Sequence, residues 1–267
     1  MTDKEIGPRE EAGREAELNE GEKSFPDLPR ETKRKFNGNG CGGAYGSWNE
    51  EAPDRPRWTQ DTTLVAEYEY QRTNGSHAFY IRKGVRPDGE KVYSTRRLNC
   101  TSFSDRLEPE DKVDFYPGLG DEPKVLFRSP ELIAAGRGAL VLVTEGEKDA
   151  MTAVSMDFTA TCNPFGARKW QEAYSLMLAG YDVVICGDND DVGRRHVAQV
   201  ARSVALHAKR TRILTLPGLA EYGDLSDWTA ERQDKDKARS ELLALIEAAP
   251  EVEAQRTRPD MVCVADV

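Results

Sequence analysis

Residues 181–196 read YDVVICGDNDDVGRRH, in which four apolar residues run directly into a group of carboxylates. The apolar run, 183–186, has the length and composition of a buried strand. Asp188, Asp190 and Asp191, three carboxylates within four positions, follow it after Gly187. Because like charges this close repel one another and resist losing water, the stretch requires either a compensating cation or a catalytic purpose.

Short apolar runs alternate with helical patterns from about residue 138 onward. The runs ALVLVT, FTATC, DVVICG and TRILTLP predict four strands; the segments after the first three, and residues 235–248, predict helices. This alternation is typical of a parallel sheet with helices on both faces. We therefore predict an α/β fold, a Rossmann-like parallel sheet flanked by helices. Ligands of such sheets bind beyond the carboxyl ends of the strands.

The chain before this region has a different pattern. LVAEYEYQ, HAFYIRKGV and EKVYSTRRL alternate polar and apolar residues and are separated by Asn-Gly and Pro-Asp-Gly turns, which predicts a small antiparallel sheet. Its arginines and aromatic residues form either a nucleic-acid surface or, as we favour, a solvated face and a core. The polar, glycine-rich start of the chain predicts disorder. The predicted parts are a disordered or linker extension (1–60), a β-rich subdomain (61–127), the α/β domain (128–249) and a C-terminal tail (250–267).

Composition restricts the classes of protein to which the chain can belong. The 267 residues are 38% hydrophobic and 31% charged, and the formal net charge is −10. This charge argues against strong nonspecific binding to nucleic acid, although local basic patches are compatible with it. No apolar run approaches the roughly 20 residues of a membrane span, and the N-terminus lacks a signal-peptide pattern. We therefore expect a cytoplasmic protein with no membrane partner. The five scattered cysteines indicate neither disulfides nor a zinc site.

Carboxylates also follow the first strand of the α/β domain. TEGEKDA places Glu145, Glu147 and Asp149 there, and Glu145 precedes Asp188 by 43 positions. If the two strands are neighbours, these carboxylates meet at one edge of the sheet. Hard oxygen ligands on loops with a turn glycine suit Mg²⁺. Such an ion removes the repulsion and indicates chemistry on phosphates.

Two other interpretations of the acidic stretch are less consistent with the sequence. An EF-hand loop needs a bidentate glutamate where this chain has Gln199, and it follows a helix instead of a strand. A haloacid-dehalogenase-like phosphatase also has D-x-D-x-T/V after a strand, with Asp188 as nucleophile and Asp190 as acid/base. Its motifs would be compressed into a short stretch, and TEGEKD would have no role. The phosphatase therefore ranks behind a metal site built from both acidic stretches.

The succession of EGEKDA after one strand, CGDNDDVGRRH after another, and then PGL and GDLSDW resembles the TOPRIM domain. DnaG-type primases, type IA and type II topoisomerases and some nucleases share this domain. The chain is most similar to primase and primase-helicase proteins of phages, plasmids and other mobile elements. In those proteins a segment like ATCNPFGARKW lies between the acidic motifs. The resemblance covers about residues 125–248.

The resemblance implies roles for individual acidic residues. Glu145 matches the glutamate that acts as general base in nucleotide addition and general acid in strand transfer. Asp188 and Asp190 match the pair that binds Mg²⁺ (or Mn²⁺). Asp149 matches an acid that supports the site or contacts the metal. Glu145 and Asp149 are therefore included with Asp188 and Asp190 among the expected metal ligands.

Other charged residues near the motifs are weaker candidates. A first group has basic side chains that either contact phosphates of a nucleotide or strand or are ordinary surface charges: Lys148, Lys169, Arg194 and Arg195. A second group consists of further acids. Asp191 belongs to it, and Asp224 and Asp227 either join the site or cap the following helix.

The resemblance implies a Mg-dependent, primase-like nucleotidyltransferase that acts on single-stranded DNA with nucleoside triphosphates, in the replication of a phage, plasmid or mobile element. The alternatives are a metal-dependent nuclease with the same carboxylates and a non-catalytic accessory subunit that binds nucleic acid or a helicase. The sequence contains neither the zinc-binding module of a full DnaG-type primase nor a G-x-x-x-x-G-K-S/T loop. A separate helicase or zinc-module protein is therefore an expected partner.

Overall fold

The computed structural model describes residues 58–98, 115–232 and 234–254. The predicted N-terminal extension and C-terminal tail lie almost entirely outside these residues. In the described part of the chain, no helix has both the length and the apolar character that a membrane crossing needs.

The first sheet is antiparallel, with strand order β1-β2-β3-β4. The turns between its first three strands contain Gly75 and Gly89, with φ of 82° and 84°, a conformation that favours glycine. The three predicted strands are therefore confirmed. The fourth was not predicted, because three residues are too few to show an alternating pattern. The strands are β1 (Thr63–Gln71), β2 (His77–Val85), β3 (Lys91–Leu98) and β4 (Phe115–Pro117).

The second sheet is parallel throughout, with strand order β6-β5-β7-β8. Its strands are β5 (Leu140–Thr144), β6 (Thr159–Thr161), β7 (Asp182–Cys186) and β8 (Arg210–Leu214). The predicted fold class is therefore confirmed. The predicted domain boundary between residues 127 and 128 lies between β4 and the first helix and stays a prediction.

Six helices accompany these strands in the described residues: α1 (Ser129–Ala135), α2 (Glu147–Ser155), α3 (Glu172–Met177), α4 (Asp191–Val204), α5 (Leu225–Ala230) and α6 (Lys235–Ala248). The bounds of α6 agree with the prediction. The α3 helix is shorter than the helical pattern over 168–180, since Arg168 has φ 67° and Gly180 has φ 81°. The α1 helix was not predicted, and for α5 the sequence offered only the alternative that Asp224 and Asp227 cap a helix, because six or seven residues carry too little periodicity.

The alternation of side chains along the strands separates two apolar layers. Val141, Val183 and Ile185 face a cluster that includes Tyr174 of α3 and Val200 of α4. Leu142 and Val184 face the opposite cluster, to which α2, α5 and α6 contribute. Tyr70 and Phe79 of the antiparallel sheet belong to that second cluster. The two sheets therefore share one hydrophobic core.

A buried hydrogen bond joins the antiparallel sheet to the first turn of α2. The Tyr70 side chain is fully buried, and its hydroxyl donates to Glu147 Oε1 at 2.7 Å. Burial raises the pKa of the Glu147 carboxyl, and the Tyr70 hydrogen bond acts in the opposite direction. The first turn of α2 is thus attached to the antiparallel sheet close to Glu145.

Substitution of Tyr70 by phenylalanine removes this hydrogen bond and leaves a half-buried carboxyl without its donor. We expect the free energy of unfolding to fall by about 1 to 3 kcal/mol, measured by urea denaturation. Tyr93→Phe is the matched control, because Tyr93 lies on the same sheet and is 61% exposed. An equal loss in both variants would contradict a special contribution from the Tyr70 contact.

Candidate catalytic and metal site

The two predicted acidic motifs meet at the carboxyl edge of the parallel sheet. Thr144, the last residue of β5, is the register partner of Cys186, the last residue of β7. Glu145 therefore follows one strand beside the turn that follows the other. The backbone N–H of Asp188 donates to Glu145 Oε2 at 3.5 Å, and both side chains are half-buried. The structure thus brings Glu145 and Asp188 together.

The first turn of α4 packs directly against these two residues. A Cβ atom on Gly193 would lie 2.4 Å from the Asp188 carbonyl oxygen and 3.0 Å from Glu145 Oε2. Asp190 is the N-cap of α4, and its Oδ1 accepts from the Gly193 N–H at 2.6 Å. The absence of a side chain at Gly193 therefore lets the helix start against the acidic edge.

The carboxylates at this edge repel one another. The pKa of Asp188 is raised to about 7, first by burial and then by the charges of Glu145, Asp149, Asp224 and Asp190. Burial also raises the pKa of Glu145; the Asp188 N–H acts against this, and Asp190 and Asp149 add to it. Glu145 and Asp188 thus have raised pKa values, and a nearby positive charge would lower them.

The donor set at the edge fits a hard divalent cation. In the described residues, no three His, Cys, Asp or Glu side chains already converge as a complete ligand group. The atoms that Glu145, Asp188 and Asp190 offer are carboxylate oxygens, which Mg²⁺ and Mn²⁺ prefer. The raised pKa values of Glu145 and Asp188 agree with this fit.

Asp149 is buried and anchors one helix to another. Its side chain is 7% exposed, and its Oδ1 accepts from the Ser226 backbone N–H at 3.0 Å and from the Ser226 hydroxyl at 2.7 Å. Ser226 lies in the first turn of α5, whereas Asp149 lies in the first turn of α2. The contacts of Asp149 with Ser226 are therefore those of a supporting residue.

The two acids after β8 form a reciprocal cap on α5. Asp224 Oδ1 accepts from the Asp227 N–H at 2.9 Å, and Asp227 Oδ2 accepts from the Asp224 N–H at 3.2 Å. Lys148 forms an ion pair with Asp224. Lys148 therefore lies beside an acid of the edge, and Asp224 contributes to the raised pKa of Asp188.

The remaining charged candidates lie on exposed surface. Arg194 donates to Asp191 Oδ1 at 2.6 Å and to Asn189 Oδ1 at 3.2 Å, and Arg195 Nε donates to the Asp191 carbonyl at 2.9 Å. The ion pair with Arg194 lowers the pKa of Asp191. Lys169 is exposed in the loop before α3. Asp191 is thus a partner of arginines at the start of α4.

Asn189 is a residue of this site that the sequence did not single out. Its side-chain Nδ2 donates to the carbonyls of Leu219 and Ala220, each at 3.0 Å. Its backbone N–H donates to the Gly223 carbonyl at 2.9 Å. An asparagine between two aspartates is a turn signal, but the signal does not identify a partner 30 residues away. Asn189 ties the loop after β8 to the turn after β7.

A comparison with protein families places this site in a known class. Residues 142–229 match the family model described as Toprim-like. The matched stretch contains the last three residues of β5, all of β7, and Glu145, Asp188 and Asp190. Residues 142–229 are therefore a Toprim-like region of the chain. No curated protein matches the chain.

Solved primase structures are also similar to the chain, at low identity. One is a chain of the bacteriophage T7 lagging-strand DNA polymerase interacting with primase domains of two gp4 subunits bound to an RNA/DNA hybrid and dTTP. It is 16% identical, with a TM-score of 0.46, and the match covers 70% of this chain and 78% of that one. The Aquifex aeolicus primase, with zinc-binding and RNA polymerase domains, is 16% identical, with a TM-score of 0.49 and coverage of 72% and 41%. The DnaG catalytic core is 14% identical, with a TM-score of 0.44 and coverage of 72% and 54%.

Proposed function

We propose that this protein is a metal-dependent, primase-like nucleotidyltransferase that joins nucleotides on single-stranded DNA. The observation that carries the proposal is the meeting of Glu145 and Asp188 at the ends of neighbouring parallel strands. Both carboxyls are half-buried in a group of acids that a divalent cation would neutralise. The Toprim-like match of residues 142–229, which spans both motifs, supports the same class.

The residues of the edge divide the work of such a reaction. Glu145 is the proposed general base, because burial raises the pKa of its carboxyl toward the range in which a side chain accepts a proton from a 3′ hydroxyl. Asp188 and Asp190 would hold Mg²⁺ or Mn²⁺. When bound, the ion neutralises negative charge on the triphosphate. Asp149 holds the first turn of α2 against the first turn of α5 through its hydrogen bonds with Ser226.

The surroundings of the edge supply the proposed contacts to the substrate. Arg194 and Arg195 lie on exposed surface in the first turn of α4, and Lys169 is exposed in the loop before α3. We propose these side chains, with Lys148, as contacts to phosphates of the nucleotide or strand. Strand unwinding and template selection are assigned to a separate helicase or zinc-module protein, in the replication of a phage, plasmid or mobile element.

Primer synthesis on single-stranded DNA tests the proposal. The native protein is incubated with labelled nucleoside triphosphates and Mg²⁺ or Mn²⁺, and the products are resolved by length. Glu145→Gln is expected to lower the rate by about 100-fold or more, since it removes the proton acceptor. Glu247→Gln is the matched control, because Glu247 is exposed near the end of α6. It is expected to retain native activity.

The same reaction distinguishes the alternatives. Degradation of the template that Glu145→Gln abolishes would assign a nuclease that uses the same carboxylates to activate water. If the native protein neither synthesises primers nor cleaves the template, an enzymatic role is contradicted and an accessory subunit is indicated. Synthesis that Glu145→Gln leaves intact would refute the role of Glu145 as general base.

A further inference from the structure

Tyr222 combines high exposure with an unfavourable backbone conformation. Among the described residues, it is the most exposed of the large hydrophobic side chains, at 72%. Its φ is 65°, in the left-handed region that bulky residues rarely adopt. Asparagine and glycine adopt this region more readily, so a tyrosine here is not explained by the turn.

Hydrogen bonds attach the Tyr222 backbone to the acidic edge. The Tyr222 N–H donates to the Asn189 carbonyl at 3.1 Å, and the Asn189 N–H donates to the Gly223 carbonyl at 2.9 Å. The turn is also tight, because a Cβ atom on Gly223 would lie 2.8 Å from the Leu219 side chain. The turn that carries Tyr222 is therefore held by the residue between Asp188 and Asp190.

We propose that the Tyr222 ring is a stacking platform for a nucleobase of the nucleotide or strand held at the acidic edge. The inference rests on the proposed function and adds to it a contact with the base, which carboxylates and a cation do not provide. An exposed ring stacks on any base, because every base has a π-face. The strained backbone is consistent with a position selected for binding, because strain of this kind is concentrated at functional sites.

Single exposed hydrophobic side chains are common on protein surfaces and need no special explanation. Tyr222 differs in that its exposure coincides with a positive φ and with backbone hydrogen bonds that join Tyr222 and the adjacent Gly223 to the middle residue of the Asp-x-Asp motif. Leu206, 45% exposed after α4, lies at the opposite edge of the sheet and serves as a matched control.

Variants of Tyr222 distinguish the contribution of the ring to binding from its contribution to folding stability. Tyr222→Phe keeps the ring. Tyr222→Asn removes it with a residue that tolerates positive φ, so its melting temperature is expected to equal or exceed that of the native protein. Leu206→Asn introduces the same side chain far from the site. Thermal melts of the three full-length variants confirm that each is folded before binding is measured.

Binding is measured with two fluorescent probes in Mg²⁺, a single-stranded oligodeoxynucleotide containing 2-aminopurine and 2-aminopurine riboside triphosphate. Stacking on an aromatic ring quenches the fluorescence of 2-aminopurine. If Tyr222 only supported the fold, its replacement would not change this quenching. Tyr222→Asn is expected to raise the Kd of at least one probe about tenfold and to remove the quenching, whereas Tyr222→Phe stays within about twofold. Leu206→Asn is expected to bind like the native protein.

Each outcome has a defined meaning. If Tyr222→Asn weakens binding and quenching of the oligonucleotide alone, the stacked base belongs to the DNA strand. If it weakens binding and quenching of the triphosphate alone, the stacked base belongs to the incoming nucleotide. Both results support the inference. If Tyr222→Asn binds and quenches both probes like the native protein, the stacking role is refuted and the proposed function stands. If the native protein binds neither probe, the proposed function fails and the inference fails with it.

Discussion

Substitution of Gly193 by alanine is expected to lower the free energy of unfolding by about 2 to 4 kcal/mol and to abolish the proposed primer synthesis. The added Cβ atom would lie 2.4 Å from the Asp188 carbonyl oxygen, closer than nonbonded atoms approach. The Asp188 carbonyl is backbone and the Cβ atom is bonded directly to the α4 backbone, so neither can move aside as the end of a flexible side chain would. Relief requires that α4 moves away from Asp188 and Glu145.

Helix propensity alone predicts that Gly193→Ala is stabilising, whereas the Cβ contact predicts that it is destabilising. In an unrestricted helix interior, alanine is more favourable than glycine by about 1 kcal/mol. A gain in stability for Gly193→Ala would therefore show that α4 does not pack tightly on Asp188. Urea denaturation measures the change. Gly146→Ala is the control: Gly146 adjoins Glu145, its φ of −140° suits any residue, and its Cβ would meet nothing within 4 Å. It is expected to change the stability by less than about 1 kcal/mol.

The metal-free protein is expected to gain stability at neutral pH when Asp188 is replaced by asparagine. The folded protein binds the Asp188 proton more tightly than the unfolded chain, because the pKa of Asp188 is about 7 in the fold against an ordinary 3.8. The contribution of Asp188 is therefore most favourable below about pH 4 and is lost as the pH rises through 7. Asp188→Asn does not titrate, so the two proteins differ most above pH 7.

The expected gain of Asp188→Asn near pH 8 in EDTA is about 1 to 2 kcal/mol, after allowance for solvent screening of a half-buried carboxyl. Thermal melts between pH 4 and 8 give the measurement. Asp191→Asn is the matched control: Asp191 is exposed, and the pKa of its carboxyl is lowered by Arg194. It is expected to give no gain at pH 8. A melting curve of the native protein that is independent of pH between 4 and 7 would contradict the raised pKa of Asp188.

Divalent cations are expected to make the native protein more stable than Asp188→Asn, the reverse of the result in EDTA. Mg²⁺ or Mn²⁺ that binds only the folded state raises the melting temperature of the native protein by mass action. The double variant Asp188→Ala with Asp190→Ala removes two of the proposed ligands and is expected to lose that rise. An undiminished rise in the double variant would place the cation elsewhere.

The parts of the site that could be predicted from sequence follow from strand direction. The apolar run before Gly187 and the run before Glu145 are long enough to indicate buried strands. Parallel strands end at one edge, so the meeting of Glu145 and Asp188 required only that β5 and β7 be neighbours. The register of Thr144 with Cys186 meets that condition.

The parts that could not be predicted depend on partners distant in the sequence. Asp149 and Ser226 are 77 positions apart, as are Tyr70 and Glu147, and no local pattern encodes either contact. Asn189 reads as a turn residue whatever loop it binds. The left-handed conformation of Tyr222 conflicts with the preference of tyrosine, so local propensity alone predicts the wrong conformation there.

The bond between Tyr70 and Glu147 bears on how such a domain is reused in other proteins. A parallel sheet that carried only its own helices would present Glu147 without the Tyr70 hydroxyl and would uncover the apolar residues that now pack on Phe79. Grafting the Toprim-like region into a different host would therefore require a substitute for one face of the antiparallel sheet. In this protein the small sheet therefore completes the core beneath the acidic edge, and the parallel sheet alone is expected to be less stable than the two together.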